Sequence, residues 1–366
     1  MLTESVATSA ARGPMVSSSK LVHHDAPQRV YWEVTRACAL ACRHCRATAT
    51  PCADPSELDH AAALNVLRDL ACAIPKPHLV LTGGDPLERA DLFELIAAAR
   101  ELGLHVSVSP SATPRLTGEV IGRLKRAGVE ALSLSIDGSN AEKHDGIRSV
   151  PGTFARTLVS AREARAVGLA FQVNTLVAAE TLADLPMIET VVRQIGAARW
   201  SLFFLVTVGR GTVLAPIDAQ AAEELFVWLA ERAKVRPGPV ITTTEAPCFR
   251  RVTANVTHAP PGHGHAAGIR DGNGIMFIGH DGDVFPSGFL PVSSGNVKTE
   301  SALTIYRDAP MFHVLRDADG FHGRCGRCEF RGVCGGSRAR AWTATGDVLG
   351  EDPLCTYHPG QAVATT

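Results

Sequence analysis

Apolar residues along the chain gather in short β-branched or aromatic runs of strand length. They are "RVYWEVT" (29–35), "HLVLTGG" (78–84), "HVSVSP" (105–110), "ALSLSID" (131–137), "FQVNTLV" (171–177) and "RWSLFFLV" (199–206). After each comes a longer stretch whose apolar positions recur every three or four residues: 56–73, 91–102, 117–127, 152–167, 184–195 and 218–233. Ser56, Asp91, Asp184 and Asp218 stand where helix N-caps are expected, and Gly103, Gly128, Gly168 and Gly196 just past the helix ends. Six strand–helix units in succession predict an α/β fold with a parallel sheet and right-handed crossovers. The pattern fits a curved six-stranded partial barrel and a flat doubly wound sheet equally well. In both, the loops at the carboxyl ends of the strands carry the chemistry.

Composition narrows the class. A chain of 366 residues, 45% hydrophobic and 20% charged, suits one large α/β domain with an appendage. Its net charge of −1 gives no electrostatic reason to bind nucleic acid or a membrane surface. The Ser/Ala/Thr-rich start lacks the apolar core of a secretory signal, so residues 1–27 read as a disordered tail. The longest apolar run, 200–208, is strand-sized. A cytoplasmic location is therefore expected. In that setting the ten cysteines point to metal rather than disulfides.

The cysteines are clustered. "TRACALACRHCRAT" carries Cys38, Cys42 and Cys45 directly after the first strand, and Cys325, Cys328, Cys334 and Cys355 lie near the end. Cys52 and Cys72, isolated between them, read as small buried hydrophobes. Structural zinc wants four ligands, and for the first cluster the fourth candidates are His44, badly placed between two cysteines, and Cys52. Three thiolates also suit a four-iron cube with one iron left open. Three more polar features fall on the same rim: "TGGDP" (82–86), "SIDG" (135–138) and Asn174.

The C-x3-C-x2-C spacing, followed by "GGDP" after the second strand, resembles the signature of the radical S-adenosylmethionine (radical SAM) superfamily. The resemblance implies a partial (β/α)6 barrel and a [4Fe–4S] cluster on Cys38, Cys42 and Cys45. SAM would lie against Gly83, Gly84, Asp85 and Pro86, with Ser135, Asp137 and Asn174 at its ribose and methionine ends. His44 stands where an aromatic residue is usual, and Asp85 where Glu is usual. Residues 28–235 would form this core.

Over 236–366 the pattern C-x2-C-x5-C-x20-C is similar to the auxiliary-cluster extension called SPASM, or its shorter twitch form. Ser287 and Arg338 replace two cysteines of the full form, and no cysteine lies between Cys248 and Cys325. One auxiliary [4Fe–4S] cluster, held by Cys325, Cys328, Cys334 and Cys355, is what this implies; a zinc ribbon is the plainer alternative. "TTEAPCFRR", "PSGFLPVSSGNV" and the single auxiliary cluster resemble enzymes of alternative haem biosynthesis that decarboxylate iron-coproporphyrin propionates. The resemblance spans roughly 28–360.

It implies one-electron cleavage of SAM, hydrogen abstraction by a 5′-deoxyadenosyl radical, and electron transfer to the auxiliary cluster. A flavodoxin or ferredoxin would supply the electron, and the extension would cover the barrel mouth. A SPASM peptide maturase is the main alternative. The short stretch before Val30, with no room for a fused recognition domain, leans toward a tetrapyrrole. Another small-molecule oxidation, or a non-catalytic iron–sulfur or zinc protein, is the remaining reading. His258, His263 and His265, in a Pro/Gly-rich loop, read as exposed, and Cys248 as a buried cysteine with a ligand or redox role left open.

Overall fold

A computed structural model describes residues 22–257 and 268–360. The six expected strands form as β1 (Arg29–Glu33), β2 (His78–Thr82), β3 (His105–Val108), β4 (Ala131–Ser135), β5 (Ala170–Val177) and β6 (Arg199–Phe204). Three more follow: β7 (Val240–Thr244), β8 (Ile275–Ile278) and β9 (Val284–Phe285). They make one sheet, in the order β7-β6-β5-β4-β3-β2-β1-β8-β9, curled into a half-barrel. Pairing is parallel from β7 through β8, and only β9 runs antiparallel. β1 is thus central, with Arg29 opposite His78 on one side and Ile275 on the other.

The helices are α1 (His60–Ala71), α2 (Leu92–Glu101), α3 (Gly118–Arg126), α4 (Ala141–Arg148), α5 (Thr153–Ala166), α6 (Leu185–Ile195), α7 (Ala219–Arg232) and α8 (Phe249–Thr257), then α9 (Ala302–Asp308), α10 (Pro310–Arg316), α11 (Gly323–Arg327) and α12 (Arg338–Thr345). Their apolar stripes bury Leu67, Leu95, Leu124, Ile188 and Phe226 against the buried face of the sheet, where Trp32, Leu81 and Trp200 are fully buried.

Local chemistry departs from expectation at several points. Asp59, not Ser56, caps α1, accepting from Ala62 N at 2.8 Å; Ser56 is drawn into a turn by Asp54. Asp91 and Asp184 make no cap bond. Asp91 is paired with Arg89, and Asp184 with Ser139 and Lys143, so tertiary partners outcompete the helix start. Asp218 does cap α7.

Residues 22–27, expected in the disordered tail, are packed: His23 N donates to Asn273 Oδ1 at 2.9 Å, and Tyr306 donates to His23 O at 2.7 Å. Residues 1–21 lie outside those described, as do His258, His263 and His265. Cys52 and Cys72, expected to be buried, are exposed. Cys72 is the C-cap of α1, and Cys52 sits in the loop that follows the first cysteine cluster.

Candidate functional site

The loop leaving β1 is pinned on all sides. Cys38 N donates to Thr50 O at 2.8 Å, Arg43 N to Ile147 O at 2.9 Å, and Arg210 N to Cys45 O at 3.0 Å. The Arg210 guanidinium also donates to Cys42 O and Ala49 O, each at 3.0 Å. Each of the three sulfurs faces a polar hydrogen: Leu40 N at 3.3 Å from Cys38, Arg148 Nη1 at 3.7 Å from Cys42, and Ala49 N at 3.5 Å from Cys45. Such donors stabilise thiolates, the form that binds metal. Burial, outweighing the donors from Leu40 and Ser111, pushes the Cys38 thiol up to about 11, a cost that metal binding would have to overcome.

Gly83 and Gly84 sit beneath this loop. A Cβ at either would stand 2.3 Å from a backbone oxygen, Thr35 O for Gly83 and Ala37 O for Gly84. Both glycines permit the close approach of the cysteine loop, which is sealed by Gly84 N to Thr35 O at 2.9 Å and Asp85 N to Ala37 O at 2.7 Å. Asp85 is fully buried and its carboxylate is engaged by protein: Leu87 N and Ser111 N on one oxygen, the Thr113 hydroxyl at 2.8 Å on the other. Burial raises it to about 6 despite these donors. Pro86 opens the short 3-10 turn that Asp85 caps.

Ser135, Asp137 and Asn174 line one cavity. His44, Arg46 and Arg148 complete its polar side, while Phe203, Phe204, Leu205, Val206, Val208 and Phe289 form much of an apolar one. Phe289, from the C-terminal region, packs beside Phe203 with ring centres 6.4 Å apart. Asp137 is buried, accepts from Leu176 N at 2.7 Å, and lies 2.5 Å from Arg148. Burial works against its charge, yet the Arg148 guanidinium prevails and holds it below the usual carboxylate range. Arg148 thus links the Asp137 carboxylate to the Cys42 sulfur.

No reading of the sequence reached Arg148, because α4 is eight residues of mostly polar sequence with no apolar stripe. Its signal was Asn140, which caps it by accepting from Lys143 N. His44 has an unpartnered Nδ1 and is lowered to about 4 by burial and then by Arg148, so it is neutral at pH 7. Arg46 donates to Glu33 at 2.9 Å and lies over the Phe277 ring; His280 takes the other Glu33 oxygen.

A second, smaller cavity is lined by Cys325, Cys328, Cys334 and Cys355, and also by Cys248. Gly336 N lies 3.4 Å from the Cys334 sulfur, and Asp352 N 3.5 Å and Arg338 Nη2 3.6 Å from that of Cys325. Burial drives Cys328 up to about 12, whereas hydrogen bonds from Cys248 bring Cys355 down to about 7. Ser287 and Arg338, the two replaced cysteine positions, are both buried and wired into protein. Ser287 bonds Asp271, and Arg338 donates to Val348 O and Gly350 O. Among the described residues no three His, Cys, Asp or Glu converge on one ion position; the thiols ring a space instead.

A cysteine loop on a half-barrel rim, beside a cavity flanked by polar strand ends, defines a class. The radical SAM superfamily pattern matches residues 32–224, and the chain belongs to that superfamily of enzymes, whose members use SAM and a [4Fe–4S] cluster. The chain is 37% identical over 346 residues to the AdoMet-dependent heme synthase of Methanosarcina barkeri, covering 92% of this chain and 98% of that protein. To the PqqA peptide cyclase of Gluconobacter oxydans it is 27% identical over 345 residues, covering 91% of each. In fold it is similar to Streptococcus suis SuiB bound to S-adenosylmethionine, with a TM-score of 0.71 at 16% identity, over 91% of this chain and 78% of that one. Among the described residues no helix is long and apolar enough to cross a membrane.

Proposed function

We propose that the chain oxidatively decarboxylates propionate side chains of an iron-coproporphyrin-type haem precursor. The observation that carries this reading is the 37% identity to a named heme synthase along nearly the whole of both chains, against 27% to a peptide cyclase. The cavity supports it, since an apolar wall with Phe203 and Phe289 faces Arg46 and Arg148, a surface suited to a flat ring carrying carboxylates.

Cys38, Cys42 and Cys45 would hold a [4Fe–4S] cluster; the donors at their sulfurs fit that charge. SAM would lie against Gly83, Gly84, Asp85 and Pro86, whose Gly84 N and Asp85 N also hold that loop, with Ser135, Asp137 and Asn174 at its other end. Cys325, Cys328, Cys334 and Cys355 would hold a second cluster, whose size suits thiols spread around a cavity. Together the cofactors supply a 5′-deoxyadenosyl radical and an acceptor for one electron. Per propionate a hydrogen atom, carbon dioxide and one electron depart, and a vinyl group remains. What the protein contributes is orientation by Asp137–Arg148, a neutral His44 that adds no charge beside the ring, and a cavity walled by Phe289 against water. Residues 28–235 form the core and 236–366 the extension, in a cytoplasmic enzyme fed by a flavodoxin- or ferredoxin-type donor.

The test is anaerobic incubation of reconstituted protein with SAM, reductant and iron-coproporphyrin. Deoxyadenosine, carbon dioxide and vinyl-bearing product are expected, with about eight irons per chain. Deoxyadenosine formed only with a peptide would give the case to the maturase reading, and zinc without sulfide would end the enzyme reading of the second centre.

A further inference from the structure

Two arginines line the cavity beside the cysteine loop, and they differ in what they have left to offer a ligand. Arg148 is occupied: Nη2 lies 2.5 Å from Asp137 Oδ2, Nη1 faces the Cys42 sulfur at 3.7 Å, and Nε is closed off without a partner. Arg46 donates from Nη2 to Glu33 Oε2 at 2.9 Å. Among the described residues its Nε and Nη1 are neither bonded to protein nor closed off. Glu33 does not serve Arg46 alone, because its other oxygen pairs with His280 at 2.9 Å. Burial works against a charge on His280, but Glu33 prevails and raises it. Arg46 is also held still. Its guanidinium carbon lies 4.3 Å from the centre of the Phe277 ring in β8, and a Cβ at Gly288 would stand 3.2 Å from its Nε. Gly288 thus leaves the space the guanidinium needs, and Phe289, next in the chain, belongs to the cavity's apolar wall. A guanidinium fixed on a ring, with donors open to a cavity, is preorganised for a carboxylate.

We propose that Arg46 anchors a carboxylate that the substrate keeps, selecting tetrapyrroles with at least one acid group beyond those that turnover removes. The inference rests on the tetrapyrrole reading above. A reacting carboxylate leaves as neutral carbon dioxide, so a guanidinium bound to it would stabilise the starting anion more than the transition state. The propionate at Arg46 is therefore a spectator whose grip fixes the ring's orientation, while another propionate loses its hydrogen atom, carbon dioxide and electron. Arg46 sets specificity and takes no part in the bond changes.

The test compares iron-coproporphyrin with its fully methyl-esterified form, which keeps the ring and iron but carries no carboxylate. Binding to reconstituted protein is followed by the Soret band in the parent, Arg46→Lys and Arg46→Gln, with iron content assayed alongside. The parent should hold the acid about tenfold tighter than the ester, the usual size of one charge-assisted hydrogen bond. Arg46→Gln should remove most of that difference and raise KM for decarboxylation about tenfold, with kcat little changed. Arg46→Lys, which keeps the charge and loses the fork, should fall between. Equal binding of acid and ester by the parent would overturn the proposal, whether or not the variants fold. So would an undiminished preference for the acid in whichever variant keeps its iron, or a loss confined to kcat. A parent that binds neither form would overturn the tetrapyrrole reading itself, and this inference with it.

Discussion

Gly84→Ala isolates the contact on which the cysteine loop rests. A Cβ there would stand 2.3 Å from Ala37 O, 2.5 Å from Arg36 O and 2.7 Å from Ala37 C, all backbone atoms that no rotamer change can move. Reaching ordinary contact requires the loop to lift by about 1 Å. Overpacking of this kind costs about 1–3 kcal/mol. The shift also strains the bonds from Gly84 N to Thr35 O and Asp85 N to Ala37 O, at about 1 kcal/mol each. The sum, about 3–5 kcal/mol, is a large part of a typical folding stability of about 5–15 kcal/mol. Gly146→Ala is the matched control: it lies inside α4 on the same rim and would meet no atom within 4 Å, so a gain of about 0.5–1 kcal/mol is expected. Anaerobic urea denaturation and iron content of the two variants decide the matter. A Gly84→Ala protein with parental midpoint and parental iron would refute the packing argument.

Replacing Cys38, Cys42 and Cys45 together by Ala should remove about half of the iron and all deoxyadenosine formation, since one of two four-iron centres is lost; iron assay and chromatography read both. Asp137→Asn strips the charge partner from buried Arg148, 2.5 Å away, and should destabilise by about 3–5 kcal/mol, read by denaturation. Asp137 is held below its ordinary value, so its contribution is present above that value and fades as pH falls through the depressed one. Asp85 has the opposite sign. Raised from 3.8 to about 6, it holds a proton in the folded state that the unfolded chain has released, so stability should fall by about 3 kcal/mol as pH climbs through that window. Asp85→Asn should flatten this slope in a pH series of denaturation midpoints measured without SAM.

Much of this was legible in sequence because strand-length runs rich in Val, Leu and aromatic residues mark the strands, even where Ser, Gln or Asn interrupts them. β1 to β6 needed nothing further. β8 was not legible: "IMFI" is four residues, and its partner β1 lies over 240 positions away, a pairing no periodicity encodes. Polar α4 hid Arg148 for the same reason its apolar neighbours were easy to find. Cysteine type did not fix burial either. Cys72 is exposed and Cys248 buried, and only the fold distinguishes a thiol beyond a helix end from one beneath a cavity. The glycine pair was legible as a demand for close approach, but not as an approach to Thr35 and Ala37.

Because β8 hydrogen-bonds along β1, the strand that launches the cysteine loop has neighbours on both sides only while residues beyond 268 are present. A chimera or truncation cut near 235 would leave β1 with one bare row of amides and carbonyls, ready to recruit another chain. The extension is therefore not an exchangeable cap. Any graft that moves its cysteines between relatives must carry β8 and β9 along, together with His280, which fixes Glu33 at the end of β1.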